Sequence, residues 1–195
     1  MKRLSFAKKL FLSLFLAVFS IVAFALEIDN VKVPETVKID QALPALQLQG
    51  AGIRTKFLFD IYVGAFYTEQ AINSTEEALT DLGAKRMWFK IVYSDISGKQ
   101  FRDAWQEGIK ANNSSDVIKK YQQSIDQFIN FFHQDMVKGD TLTIDYLPKI
   151  GTRVEINHKL KCVIAGDEFY SLVLSTWMGE NPPSQKFQNA LLGQD

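Results

Sequence analysis

The sequence predicts an α+β fold, an open and mostly antiparallel β-sheet with a layer of α-helices packed on one face. Strand-like segments occur in two runs, separated by a helical insertion and followed by terminal helices. Runs of strands and runs of helices, rather than strict alternation, are typical of this class. Residues 26–195 are enough for one domain with a full core, and no linker or repeat divides them.

The first 25 residues have the pattern of a secretory signal peptide. A positively charged start is followed by an apolar run over residues 10–22 and by Ala23-Phe24-Ala25, a small-x-small cleavage pattern. The run is shorter than the roughly 20 residues that span a bilayer, although an uncleaved anchor stays an alternative. We therefore predict a signal peptide over 1–25, no membrane span after its cleavage, and a periplasmic or secreted protein.

Charge and cysteine content exclude several function classes. Beyond the signal segment, 18 Lys and Arg residues face 22 Asp and Glu residues, which argues against nucleic acid binding and against a basic membrane-surface patch. Cys162 is the only cysteine, so it forms no intrachain disulfide, and its strand-like surroundings predict a small buried side chain. No metal-spaced cysteine pair occurs, and we predict neither a metal site nor a cofactor.

The first half of the domain predicts mainly strands. The run from Phe57 is rich in aromatic and β-branched residues and predicts a central strand. Ser74-Thr75-Glu76-Glu77 has the pattern of a capping box. The predicted elements are strands at 27–33, 37–39, 43–50 and 57–66 and a helix from Ser74 to about Leu82.

The second half predicts the helical insertion and a second run of strands. An apolar stripe that continues to Phe132 predicts one unbroken amphipathic helix in the insertion. The predicted elements are strands at 86–93, 140–147, 151–157 and 160–164, and helices at 97–111, 115–132, 169–177 and 184–192.

Arg54 follows Gly50-Ala51-Gly52 in the most apolar and aromatic part of the domain. A strand rather than a helix follows these glycines, so they do not match a dinucleotide fingerprint. We expect them to allow a β-bulge or a close backbone approach. An unpaired buried guanidinium is costly, so Arg54 needs either Asp60 or Glu69 in a salt bridge or the anion of a ligand.

The two histidines, His133 and His158, are predicted to lie on the surface. Neither has a second ligand or a nucleophile at a helpful spacing, so they predict no metal centre and no catalytic triad. Haem binding or a protein-interaction role through a histidine is the least favoured alternative.

Four short motifs occur in order along the domain. They are Val31-Lys32-Val33-Pro34, the apolar-Gly-Ala-Gly-Ile-Arg run at 48–54, Gly98-Lys99-Gln100-Phe101, and Thr176-Trp177-Met178-Gly179 with Pro183-Ser184. Together they resemble the chalcone isomerase family along nearly the whole domain. The resemblance implies an open antiparallel sheet with helices packed on it and a ligand cleft between the two.

In that family, an arginine on an early strand holds the phenolate of the substrate in the plant enzymes and a carboxylate in the fatty-acid-binding relatives. The resemblance places Arg54 at this arginine and Thr176 at a Thr or Ser of a late helix. Other positions depart from the family. Its threonine falls at Ile61, with Tyr62 one residue away; its tyrosine falls at Phe101, its asparagine at Gly108, and its lysine near Val92, with Lys90 close by.

The resemblance therefore implies binding of a small hydrophobic or amphipathic anionic molecule, such as a fatty acid. Arg54 would pair with its head group, Thr176 and Tyr62 would add hydrogen bonds, and Phe101 and Trp105 would line the tail region or belong to the plain core. Loss of the tyrosine and asparagine donors argues against plant-type chalcone cyclisation, and no catalytic residue is predicted. An isomerase (intramolecular lyase) acting on an unknown enone is the alternative.

Overall fold

A computed structural model describes residues 26–194, and the predicted signal peptide lies outside the described residues. The strands are β1 (Leu26–Ile28), β2 (Val31–Val33), β3 (Thr36–Val37), β4 (Leu46–Lys56), β5 (Phe59–Thr68), β6 (Lys85–Ile91), β7 (Asp95–Ile96), β8 (Met136–Val137), β9 (Thr141–Leu147), β10 (Gly151–Ile156) and β11 (Lys159–Ala165). The helices are α1 (Thr75–Thr80), α2 (Gly98–Asn112), α3 (Ser115–Lys120), α4 (Gln122–Asn130), α5 (Glu168–Met178) and α6 (Gln185–Leu191).

Seven strands form one sheet in the order β11-β10-β9-β6-β5-β4-β3, and every pair in it is antiparallel. Neighbours in space are neighbours in sequence except where β9 returns beside β6. The helices α2, α3 and α4 are inserted between those two strands. The predicted α+β architecture is confirmed.

The two faces of the sheet belong to two hydrophobic clusters, because side chains alternate along each strand. On the helix face, Met87, Phe89 and Ile91 of β6 pack in the larger cluster with α2, α4 and α5. On the outer face, Val63 and Tyr67 belong to a smaller cluster. The N-terminal segment covers this outer face with Val33 and Ile39, which belong to the same cluster as Leu46 at the start of β4.

Close approach of α6 explains the glycines of β4. A Cβ atom at Gly50 would collide with the Ala190 carbonyl oxygen, and one at Gly52 would lie 2.6 Å from Ala190 Cβ. The register of β4 against β5 also shifts between Leu48 and Gly50, as at a β-bulge. Both expectations for these glycines, a bulge and a close backbone approach, are confirmed.

Several predicted elements differ in the structure. The strand predicted at 57–66 begins at Phe59, because Phe57 and Leu58 form a turn after β4, which itself runs on through the glycines to Lys56. The strand predicted at 27–33 is the β1–β2 hairpin, and β3 pairs with β4. The helix predicted at 115–132 is broken at Tyr121 (φ −104°, ψ 13°) into α3 and α4. The prediction missed this break because hydrophobic periodicity alone does not reveal a local kink.

Candidate functional site

A cavity of about 800 Å³ lies where the turn end of the β4–β5 hairpin faces α2 and α5. This volume is in the range of small-molecule sites in proteins. The sequence predicted five binding residues, and all five line this cavity: Arg54, Tyr62, Phe101, Trp105 and Thr176. They lie on β4, β5, α2 and α5, so four separate elements contribute to the site.

Arg54 reaches the cavity from β4, directly opposite Tyr62 of β5. Its guanidinium carbon lies 5.7 Å from the centre of the Tyr62 ring, a cation–π geometry. The strand register shifts between Arg54 and Thr55, and such an irregularity re-aims the side chains beside it. Arg54 is half-buried.

No carboxylate of residues 26–194 lies at ion-pair distance from Arg54. The predicted alternative of a salt bridge is therefore wrong. Asp60 instead accepts a hydrogen bond of 2.6 Å from the Thr55 hydroxyl, and Glu69 accepts one from the Ala84 amide. Asp95 and Glu107, both exposed, also line the cavity.

Tyr62 presents a hydroxyl that is already held on one side. Its oxygen accepts a hydrogen bond of 3.0 Å from the indole N–H of Trp177. The ring is packed edge-on against Phe89 and Phe187, at 5.2 and 5.6 Å between centroids. Burial raises the pKa of Tyr62, while nearby Arg54 acts to lower it, so the group is a neutral phenol that can donate its own hydrogen to a ligand.

Thr176 on α5 is 7% exposed, and its hydroxyl has no hydrogen-bond partner among the described residues. A buried hydroxyl left unpaired costs about 1–3 kcal/mol. Thr143, Thr152 and Tyr170 also have such hydroxyls, but none of them lines the cavity. Of these four hydroxyls, that of Thr176 is the one to which a ligand in the cavity could supply a hydrogen-bond partner.

Gly108 explains how α2 comes so close to Thr176. A Cβ atom at Gly108 would collide with the Thr176 methyl group and lie 3.2 Å from its hydroxyl oxygen. An asparagine here, as the family pattern expects, would occupy the space that Thr176 now takes. The departure at Gly108 is thus a change of packing as well as the loss of a donor.

Phe101 and Trp105 form the wall of the cavity on α2 and are part of the core as well. They are 9% and 4% exposed. Trp105 stacks on Phe132 at 5.7 Å between centroids and meets Trp177 edge-on at 5.1 Å. Both side chains therefore line the cavity and belong to the core at the same time.

Sequence reasoning missed several lining residues, among them Trp177, Phe89 and Tyr93. Phe89 could have been found from the period-two alternation of β6, and Trp177 from its place beside Thr176. Neither Val92 nor Lys90 lines the cavity. The Lys90 ammonium donates to the Gly139 carbonyl instead.

The remaining candidate groups lie away from the cavity. His133 and His158 are exposed, as predicted, and neither lines it. Cys162 is buried, as predicted, and burial raises the pKa of its thiol to about 11. Across residues 26–194, no group of three His, Cys, Asp or Glu side chains is arranged to hold a metal ion. No helix within this range is both long and apolar enough to cross a membrane.

Comparisons with known proteins agree with this architecture. The family described as chalcone isomerase-like matches residues 25–193. Among solved structures, a fatty-acid binding protein of Arabidopsis thaliana is similar, with a TM-score of 0.65 and 16% sequence identity over 87% of this chain and 96% of that one. At that identity the likeness shows a shared fold. No curated protein matches the chain.

Proposed function

The chain belongs to the chalcone isomerase-like family, and we propose that it binds an amphipathic acid, such as a fatty acid, in the cavity between sheet and helices. One observation carries the proposal. Arg54 lies on the wall of an aromatic-lined cavity with no carboxylate partner among the described residues. A carboxylate ligand would supply the negative charge that no carboxylate of residues 26–194 brings to ion-pair distance from Arg54.

The polar groups of the cavity are complementary to a carboxylate head group. A guanidinium forms charge-assisted, often bidentate hydrogen bonds with carboxylates, and Tyr62 and Thr176 each have a hydroxyl hydrogen to donate. The aromatic wall of Phe101, Trp105 and Trp177 suits an acyl chain. The Arabidopsis protein that shares this fold is a fatty-acid binding protein, which supports this ligand class.

The test compares the purified domain with its Arg54→Gln variant. Both are delipidated and titrated with palmitate, with bound acid measured by mass spectrometry after extraction. Hydrogen bonds to charged groups contribute about 1.5–3 kcal/mol, so we expect Arg54→Gln to weaken binding by about tenfold to a hundredfold.

Lys99→Gln is the matched control, since Lys99 is 77% exposed and, within residues 26–194, pairs only with Asp103. The palmitate affinity of this variant should equal that of the unmodified domain. Equal affinity in Arg54→Gln, or no palmitate binding at all, would overturn the proposal.

A second candidate, an isomerase acting on an enone, has one observation in its favour. The Tyr62 hydroxyl, oriented by Trp177 and close to Arg54, could donate to the oxygen of a developing enolate. Phe101 and Gly108 carry no donor of their own. Turnover of a chalcone that is lost in Tyr62→Phe would support this candidate, and we expect none.

We also propose that the protein is exported, to the periplasm or the medium, by residues 1–25. Fusion of these residues to a phosphatase that is active only outside the cytoplasm tests this. We expect activity with the natural segment and none when two of its central leucines are replaced by arginine. Cytoplasmic retention of the natural fusion would refute export.

A further inference from the structure

The tip of the β4–β5 hairpin exposes three apolar side chains side by side. Phe57 and Leu58 form its two-residue turn and are 88% and 93% exposed, and Phe59, which follows, is 56% exposed. Single exposed apolar residues are common, whereas a contiguous group marks an interaction site. We call Phe57–Phe59 the apolar tip.

The backbone conformation at Phe57, in the apolar tip, is unusual for the residue that occupies it. Phe57 has φ +58°, a left-handed conformation that glycine takes freely and that bulky residues rarely adopt. Two-residue hairpin turns normally contain Gly, Asn or Asp. Phe57 thus occupies a turn position that disfavours an aromatic residue, which indicates that its side chain has a function other than forming the turn.

The apolar tip adjoins both a basic group and the mouth of the cavity. Phe57, Phe59 and Lys56 all line the cavity that holds Arg54. Lys56 is exposed beside the turn. Within residues 54–60 the cations Arg54 and Lys56 stand against the single carboxylate of Asp60, so the hairpin end itself is net positive on a domain whose overall balance is acidic.

We propose that the apolar tip docks on the surface of a lipid bilayer. Aromatic and aliphatic side chains partition into the interfacial region, and Lys56 lies where it can pair with anionic phosphate head groups. The cavity mouth then faces the lipid. The docking itself does not depend on the proposed function, but its purpose does: an amphipathic acid could pass between bilayer and cavity without crossing water.

The size of the tip favours a bilayer over another protein. A stable protein interface buries about 800 Å² on each partner, which a two-residue turn and one flanking side chain cannot offer. Insertion into a membrane interface needs only a few apolar side chains on a rigid support. The antiparallel pairing of β4 with β5 supplies that support.

Co-sedimentation of the delipidated domain with vesicles tests the docking without any bound ligand. The vesicles contain phosphatidylcholine and phosphatidylglycerol in a ratio of three to one. Leu58 does not line the cavity, so Leu58→Asp should reduce vesicle binding at least tenfold and leave palmitate affinity in solution unchanged.

Leu82→Asp is the matched control, because Leu82 is 72% exposed outside the tip, and it should bind vesicles normally. Equal binding by Leu58→Asp, or none by the unmodified domain, would overturn the docking proposal. Because palmitate affinity is measured separately, that failure is distinct from a failure of the proposed function.

Two further measurements exclude a merely structural effect and a second copy of the chain. Phe57→Gly should weaken vesicle binding and raise the melting temperature, since glycine suits φ +58°. An environment-sensitive dye on Leu58→Cys, with Cys162 only 7% exposed and so protected from labelling, should shift to the blue when vesicles are added. A blue shift that appears with protein concentration alone would show self-association and overturn the proposal.

Discussion

The two faces of the sheet treat arginine in opposite ways. On the outer face, Asp145 is fully buried and accepts from Arg86 at 2.6 and 2.8 Å and from Arg153 at 2.5 and 3.1 Å. On the helix face, Arg54 has no such partner among residues 26–194. A buried charge that is paired within the protein contributes to the folded structure, whereas a half-buried cation without a protein partner favours the binding of an external anion.

The arrangement around Asp145 also closes a long loop of the chain. Arg153 donates to the Ile39 carbonyl at 2.7 Å, which ties β10 to the N-terminal segment on the outer face. Tyr67 donates to the Pro34 carbonyl at 3.0 Å and adds a second tie to the same segment. On the outer face, these polar groups are thus hydrogen-bonded to other groups of the protein. On the cavity face, Arg54 and the Thr176 hydroxyl have no such partner among the described residues.

Breaking the outer cluster should have the largest effect on stability. Asp145→Asn leaves Arg86 without a carboxylate among residues 26–194 and Arg153 with only the longer contact of 3.6 Å to Glu155, and breaking a buried pair in this way costs about 3–5 kcal/mol. Urea unfolding measures the free energy of unfolding. A loss below about 1 kcal/mol would mean that the Asp145 cluster does not hold the outer face together, since removing a buried charge partner normally costs more than that.

Adding a ligand should stabilise the domain mainly through the cavity arginine. At a palmitate concentration of one hundred times the dissociation constant, the unmodified domain should gain about 2.7 kcal/mol. Arg54→Met should gain far less at the same concentration, while its stability without ligand stays close to that of the unmodified domain. A large loss of stability in ligand-free Arg54→Met would show that Arg54 is structural after all. Urea unfolding with and without palmitate distinguishes these results.

The contact between Gly108 and Thr176 can be tested by overpacking it. Gly108→Ala places a methyl group against the Thr176 methyl group, which should cost about 1–3 kcal/mol, less what alanine gains over glycine in a helix. The double variant Gly108→Ala/Thr176→Ser removes the colliding methyl group and should recover most of the loss. Absence of recovery in thermal unfolding would contradict this explanation of the contact.

The smallest effect should come from the unpaired hydroxyl on α5. Thr176→Val removes a buried hydroxyl that has no partner among the described residues, so the ligand-free domain should become more stable by about 1 kcal/mol. Palmitate affinity should fall several-fold, because one hydrogen bond to the head group is lost. If Thr176→Val destabilises the ligand-free domain, a buried water already satisfies the hydroxyl.

Much of this architecture could be predicted from local patterns. Most element types follow from hydrophobic periodicity, and Arg54 could be singled out because a cation in so apolar a stretch needs an explanation. Local patterns failed at Phe57 and Leu58, whose composition is that of a strand and whose conformation is a turn. They failed again at Tyr121, where the apolar stripe crosses a break between α3 and α4.

Long-range partners were beyond the reach of the sequence. Trp177 holds the hydroxyl of Tyr62 across 115 positions, and Arg86 meets Asp145 across 59. Such pairs depend on which strands are neighbours and in what register, and no local spacing encodes that. For the same reason, the sequence left open whether Arg54 pairs with Asp60 or Glu69 or with the anion of a ligand.

The sequence by itself determined most element types, the family resemblance and the residue types available to a binding site, because these depend on side-chain chemistry and on periodicity within a segment. Only the tertiary structure decided which charges are paired. It brought Arg86 and Arg153 to Asp145, left Arg54 facing a cavity, and placed Tyr62 and Thr176 in that same cavity. The physical reason is that pairing is decided by strand register and by helix packing over distant parts of the chain.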